Sequence, residues 1–483
     1  MASGYRHGVY VTEKATDLQV LSRQDGGLIM VVGTSPIRNA ANPALANEPV
    51  LCGSYSEAVS RLGYSSDTGS YTLCEAMDVL FGLYQVAPIV FVNVFDPSVH
   101  KTDVTREQNL VTATHTVELS GDVMADSIVV ETKAEIEDDE VWTIVPPVSK
   151  EYTLEKTVIT LGESFNMGAQ VYVSYAKPDV SKVTAMYVSG TVNATTGKCT
   201  GLELVSEIYS RFGQTVGTLI APGWSQLSEV GIKLGAKAEL INGHFSAVGI
   251  ADLPTALIGG YSEAPNIKNT YGYTSPHLIA CYPAVKYGGL VQHLSTHLAG
   301  RMALQTAEDD DIPYRSPSNR EALISGMCNL DGSDNYFGED AARYLNGQGI
   351  VTVTNFDGWK FWGNRTSAYP SNSDPKDCWI SVRRMFNYIK AALVSNFWSE
   401  LDEPIIKREV DSVVNSANTF LNGLTSRGAI LGGRVEFLEE DNGEADLADG
   451  KATFRVYVTP PSPMREIVFT MEYDSTYLTN IFE

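Results

Sequence analysis

Two stretches of this sequence hold almost nothing that water can grip. Residues 28–33 (LIMVVG) and 89–95 (IVFVNVF) are continuous runs of aliphatic, aromatic and β-branched side chains. They are strand-sized, and too apolar for a strand with one wet face. Such runs are strands buried on both sides, the habit of a parallel sheet sheltered by helices. The chain between them agrees. A helical stretch opens at Tyr55 and runs to Leu62, and a second covers 72–84 with Leu73, Met77, Leu80 and Phe81 on one face until Pro88 stops it. Strand, helix, helix, strand is α/β organisation.

The texture changes near residue 100. Residues 104–187 are rich in Thr, Val and acidic side chains and lack helical periodicity, which predicts an inserted all-β domain. The α/β texture resumes over 188–355, with helices expected at 201–212 and 227–240 and strands at 218–221, 245–252, 278–282 and 349–354. A C-terminal α+β domain is expected over 356–474. It holds a helix at 377–401, a second from about Pro404 to Leu424, and strand-like runs at 434–438, 452–458 and 467–472, the last two separated by Pro460, Pro461 and Pro463. Residues 1–27 and 475–483 read as arms: alternating or apolar, and too short to own a core. The core is then 28–103 joined to 188–355 around the insertion.

Length and charge narrow the function. A chain of 483 residues exceeds one ordinary core and implies two to four domains. Its net charge of −23 repels phosphate backbones and anionic membrane surfaces, and its longest apolar stretches, such as 89–94, are too short to span a bilayer, so neither direct nucleic-acid binding nor membrane insertion is expected. Cys52, Cys74, Cys199, Cys281, Cys328 and Cys378 are scattered without a CxxC pair, the pattern of reduced, buried thiols. No apolar signal segment opens the chain.

Fragments that resemble catalytic motifs each lack a needed part. His293 and His297 have metal-ligand spacing, but Leu294 stands where a zinc hydrolase needs its Glu. Gly33-Thr34-Ser35 echoes a subtilisin nucleophile, yet Pro36 follows and no His partner is evident. Residues 190–199 (GTVNATTGKC) space their glycines wrongly for a phosphate loop. The acidic clusters at 309–311 and 439–441 lack the alternation of a calcium loop. No catalytic, cofactor or metal site is expected.

Dispersed motifs do form a pattern. Gly8-Val9-Tyr10-Val11-Thr12-Glu13 opens the chain. Gly197-Lys198-Cys199-Thr200-Gly201-Leu202 leads to Leu219-Ile220-Ala221-Pro222-Gly223. Then come Asp357-Gly358-Trp359 with Asn364-Arg365-Thr366, Val382-Arg383-Arg384, Glu403-Pro404, Gly428-Ala429-Ile430 and Arg465-Glu466-Ile467. In this order and spacing the chain resembles the contractile tail sheath proteins of bacteriophages; the resemblance leaves out about 104–187.

The resemblance implies a subtilisin-like α/β core without catalysis, in a subunit that polymerises with itself around an inner tail tube protein between baseplate and tail terminator proteins. Contraction would drive the tube through the host envelope for genome delivery. Such a subunit would be part of a virion, made and assembled in the bacterial host cytoplasm. A bacteriocin or secretion-type contractile device could use the same subunit, and a surface adhesin that binds through the β insertion is the reading from another class. In the resembling proteins, exchanged terminal strands stitch neighbours together. The residues for that here are Val9, Tyr10, Val11 and Thr12 at one end and Tyr477, Leu478, Thr479, Asn480, Ile481 and Phe482 at the other. Unpaired, such segments are aggregation hazards; paired edge to edge with another chain, they give main-chain hydrogen bonds.

Overall fold

The computed structural model describes residues 26–136, 139–153 and 156–481. Among them two compact units emerge, one of residues 26–388 with 462–481, the other holding Ile389–Pro461.

The larger unit is built on an eight-stranded sheet. Its strands are β1 (Ile29–Gly33), β2 (Pro49–Cys52), β3 (Ile89–Asn93), β4 (Thr218–Ile220), β5 (Val248–Asp252), β6 (Leu278–Cys281), β7 (Ile350–Asn355) and β8 (Trp359–Trp362), in the order β8-β7-β6-β5-β4-β1-β3-β2. The six inner strands run parallel, and β2 and β8 close the edges antiparallel. β1, β3 and β5 are buried at every position, as their composition demands. Gly249 on β5 lets the helix Ser228–Glu239 sit close, since a Cβ there would lie 3.1 Å from the Leu234 backbone.

The Gly33-Thr34-Ser35 turn caps a helix. A Cβ on Gly33 would come within 2.3 Å of Thr72 Oγ1. The Thr72 N–H donates to Thr34 Oγ1 (3.3 Å) and the Leu73 N–H to the Thr34 carbonyl (3.0 Å), which satisfies the start of the helix Thr72–Met77.

The boundary expected at 356 moves. Trp359–Trp362, assigned from sequence to the C-terminal domain, is the edge strand of the central sheet. Asp357 (φ 52°) and Gly358 (φ 94°) turn the chain back so that Asn355 faces Trp359. A tight turn keeps its strand with the partner just left.

Between β3 and β4 the described residues make seven further antiparallel strands. Lys101–Leu110, Gln170–Pro178, Val129–Ile136 and Asp139–Val145 form one sheet; Thr116–Ser120, Lys156–Thr160 and Ser149–Tyr152 form another. Val117, Val123, Val130, Ile159, Val171 and Val173 pack into a core of their own.

In the smaller unit the helix Lys407–Ser426 lies on an antiparallel pair, Gly432–Glu436 with Arg455–Thr459. Leu421 and Leu424 are buried. The helix begins three residues after Pro404, so that proline precedes it rather than occupying its first turn.

Candidate assembly site

A two-stranded sheet is marginal without further partners. In the smaller unit one edge is closed from within. Asn418, on the helix Lys407–Ser426, takes the Val435 N–H on its Oδ1 (2.9 Å) and donates from Nδ2 to the Val435 carbonyl (3.1 Å). Its amide stands in for a neighbouring strand. Val435 faces Val456, and the outer edge of Arg455–Thr459 has no strand beside it among the described residues.

The third strand expected for this sheet, over 467–472, does not form. Residues 460–474 are neither helix nor strand, and their backbones enter no ladder among the described residues. Pro460, Pro461 and Pro463 supply no N–H and break the ladder after Thr459. Beyond them Ile467, Phe469, Met471 and Tyr473 fall on one face of an extended chain, with Val468, Thr470 and Glu472 on the other. Phe469 is 86% and Met471 94% exposed. This is the pattern of a half-buried strand with nothing to be buried against.

The chain then turns. Ser475–Ile481 is a 3-10 helix, and its start is held by Asp474, whose Oδ1 accepts from the Thr476 N–H (2.9 Å) and hydroxyl. Those bonds favour the ionised carboxyl and lower its pKa. Of the residues expected to exchange strands, Tyr477, Leu478, Thr479, Asn480 and Ile481 lie on this turn, with Tyr477 and Leu478 exposed. A strand made with a neighbour's main chain has no counterpart in a single chain. Val9, Tyr10, Val11, Thr12 and Phe482 lie outside the described residues. Sequence reasoning missed that the unpaired apolar stretch begins well before Tyr477; the signal was the alternation from Ile467 to Tyr473, directly after three prolines.

The larger unit buries a cluster that could be mistaken for an active site. Ser225, Asp252, His293 and Ser295 meet beyond the C-terminal end of β5. Asp252 Oδ1 accepts the Ser295 N–H (2.9 Å) at the start of the helix Leu294–Glu308, and Oδ2 takes the Ser295 hydroxyl (2.5 Å) and that of Ser225 (3.3 Å). His293 Nδ1 meets Glu75 Oε2 at 2.7 Å, not a serine. Ser225 and Ser295 are wholly buried. Without a base beside a reachable hydroxyl the set is a clamp on a helix start.

Burial alone would push the His293 imidazole toward neutrality; Glu75 and Asp252 outweigh it and hold the ring up at about 9. Burial would raise the Glu75 carboxyl, but His293 holds it below the usual range. For Asp252 burial wins over His293 and Ser295, and its pKa is raised. His297, one turn on, is pushed by burial down to about 4. Its Nε2 lies 2.9 Å from Gln292 Oε1 and its Nδ1 3.4 Å from the Tyr84 hydroxyl, a set that a neutral ring satisfies. Among the described residues no group of three His, Cys, Asp or Glu side chains is arranged to hold a metal. No helix among them is long and apolar enough to cross a membrane.

No family model matches the chain. Over 503 aligned positions it is 28% identical to the tail sheath protein of Burkholderia phage BcepMu, which covers all of this chain and 99% of that one. A prophage major tail sheath protein of Pseudomonas aeruginosa strain UCBPP-PA14 is 27% identical over 65% of this chain and 79% of its own length. Among solved structures, the sheath complex of an extracellular contractile injection system in its contracted state superposes with a TM-score of 0.59 at 12% identity, covering 99% of each chain.

Proposed function

We propose that this chain is the repeating subunit of a contractile tail sheath, a structural protein of a phage or phage-like particle that polymerises with itself and shortens to drive an inner tube. The observation that carries this is similarity to the BcepMu tail sheath protein from end to end, the insertion included in the span. Its fold neighbour is a sheath captured after contraction.

The finer reading follows from the two unfinished surfaces. The N-terminal arm of one copy, through Val9–Thr12, and the C-terminal stretch of another, which includes Tyr477–Phe482, add strands to the open edge of Arg455–Thr459 in a third. The unpaired Ile467–Tyr473 stretch supports counting those residues as part of the C-terminal arm. Contacts between unlike faces of identical subunits propagate as a helix or as stacked rings. Arms that stay paired while the compact bodies shift would keep the lattice connected through contraction. The inner tube protein, baseplate and terminator complete the assembly, which forms in the host cytoplasm. The subtilisin-like description of the core belongs to this reading and is supported by the six parallel strands. A bacteriocin or secretion-type injection device would use the subunit in the same way.

The test is electron microscopy of the full chain beside a chain lacking Met1–Gly26, with the cognate tube protein present in both samples. Striated tubes from the first and none from the second are expected. Compact monomers from both, with tube present, would overturn the reading.

A further inference from the structure

The structure assigns a second role in assembly to one arginine: we propose that Arg365 is a preformed socket for a carboxylate of a neighbouring copy of this chain. The proposal rests on the sheath reading and adds a contact that the arms do not make.

Arg365 follows β8 and bridges to Trp379 across a short antiparallel contact. Its guanidinium carbon lies 3.3 Å from the centroid of the Trp379 ring and 4.3 Å from that of Tyr369. One terminal N–H donates to the Cys378 thiol at 2.8 Å. Trp379, Cys378 and Val382 are buried together with Tyr369 and Phe386 at their margin, so both rings are fixed by packing. A guanidinium spends its faces on aromatic rings and keeps its donors in plane. With two rings against it, what remains for a partner is the in-plane N–H edge, which suits an oxyanion with two oxygens.

The nearby carboxylates are taken. Asp377 pairs with Arg383 (3.1 Å) and Lys376 (3.0 Å), and Asp374 with Lys376 (3.2 Å). Arg365 has no carboxylate partner among the described residues and is only partly buried. Two more polar atoms in this neighbourhood, Asn364 Oδ1 and Arg383 Nε, are buried without a hydrogen-bond partner among the described residues. Residues 364–384 carry four basic and two acidic side chains in a chain whose net charge is −23. An acidic subunit that packs against copies of itself needs such basic points, and an oriented guanidinium loses little freedom when it binds. Asp and Glu outnumber Lys and Arg 58 to 35 in the partner copy, so the oxyanion it offers is a carboxylate.

The native chain itself supplies the main test. Phenylglyoxal modifies accessible arginines, and peptide mass spectrometry reads each site. Arg365 should react in the monomer and be protected at least tenfold in assembled tubes, while the exposed Arg343 changes little. The Arg365→Met and Arg365→Lys chains should need at least tenfold more protein to assemble, with melting temperatures near native. In Arg365→Lys tubes formed at high concentration, a water-soluble carbodiimide should join the new amine to a carboxylate of another copy. Tubes in which Arg365 reacts as in the monomer would overturn this proposal and leave the sheath reading standing. So would links only to Asp374 or Asp377 of the same chain, or protection by inorganic phosphate in the monomer with none on assembly. A native chain that never polymerises with its tube protein removes both.

Discussion

The Glu75 carboxylate grips His293 twice, taking its backbone N–H at 2.9 Å and its Nδ1 at 2.7 Å across 218 residues of sequence. Glu75 lies before the β insertion and His293 after it, so this buried pair ties the two halves of the core. Glu75→Gln would take from the buried imidazolium its hydrogen-bonded counter-charge and leave only Asp252, and breaking such a pair costs about 3–5 kcal/mol. Urea unfolding at neutral pH should show that loss.

The same cluster sets the pH response. The His293 contribution is complete below its ordinary value of 6.5 and is lost as pH rises through about 9. Glu75, held low, contributes above its ordinary value of 4.5, and that stability is lost as pH falls. His297, held down to about 4, adds to the acid loss because the unfolded chain protonates first as pH drops below 6.5. Asp252, held high, works against that loss: its charge costs stability at neutral pH, and the cost fades on acidification. The native chain should therefore lose stability toward pH 9, and Glu75→Gln should flatten that alkaline limb. Urea midpoints across the range check both.

Asn418→Ala removes the amide that occupies the Val435 edge. Two backbone groups lose their partners, at a cost of roughly 1–3 kcal/mol. Hydrogen exchange should show Val435 opening in the variant while β1 and β5 stay protected.

Phe469→Asp puts a charge on the unpaired apolar face of the C-terminal arm. Phe469 is 86% exposed, so the melting temperature of the monomer should not move. Tube formation should fail, and sedimentation of the variant beside the native chain with tube protein present reads it directly. Normal tubes would remove Ile467–Tyr473 from the strand-exchange reading.

Gly231→Ala tests the packing beneath the sheet. A Cβ at this helical position would lie 1.8 Å from the Tyr273 hydroxyl, which is buried and donates to the Ser225 carbonyl (3.0 Å). The ring must move, at a cost of about 1–3 kcal/mol, although alanine is the better helix former. Thermal unfolding should show the loss.

Local chemistry was enough to place much of this chain. The runs at 28–33 and 89–95 could only be strands buried on both faces, because their side chains offer water nothing on either side. The Thr- and Val-rich stretch after residue 100 could form strands and not helices for want of helical spacing. What local chemistry could not decide was partnership. Composition placed Trp359–Trp362 with the C-terminal domain, and the Asp357-Gly358 turn gave it to the central sheet. Residues 467–473 carry the alternation of a strand, yet among the described residues no strand pairs with them. Nothing near Glu75 announces His293, since a buried charge finds its counter-charge only when the chain has closed. Periodicity is a property of neighbours in sequence, whereas pairing, burial and pKa depend on neighbours in space, and those the tertiary structure alone supplies.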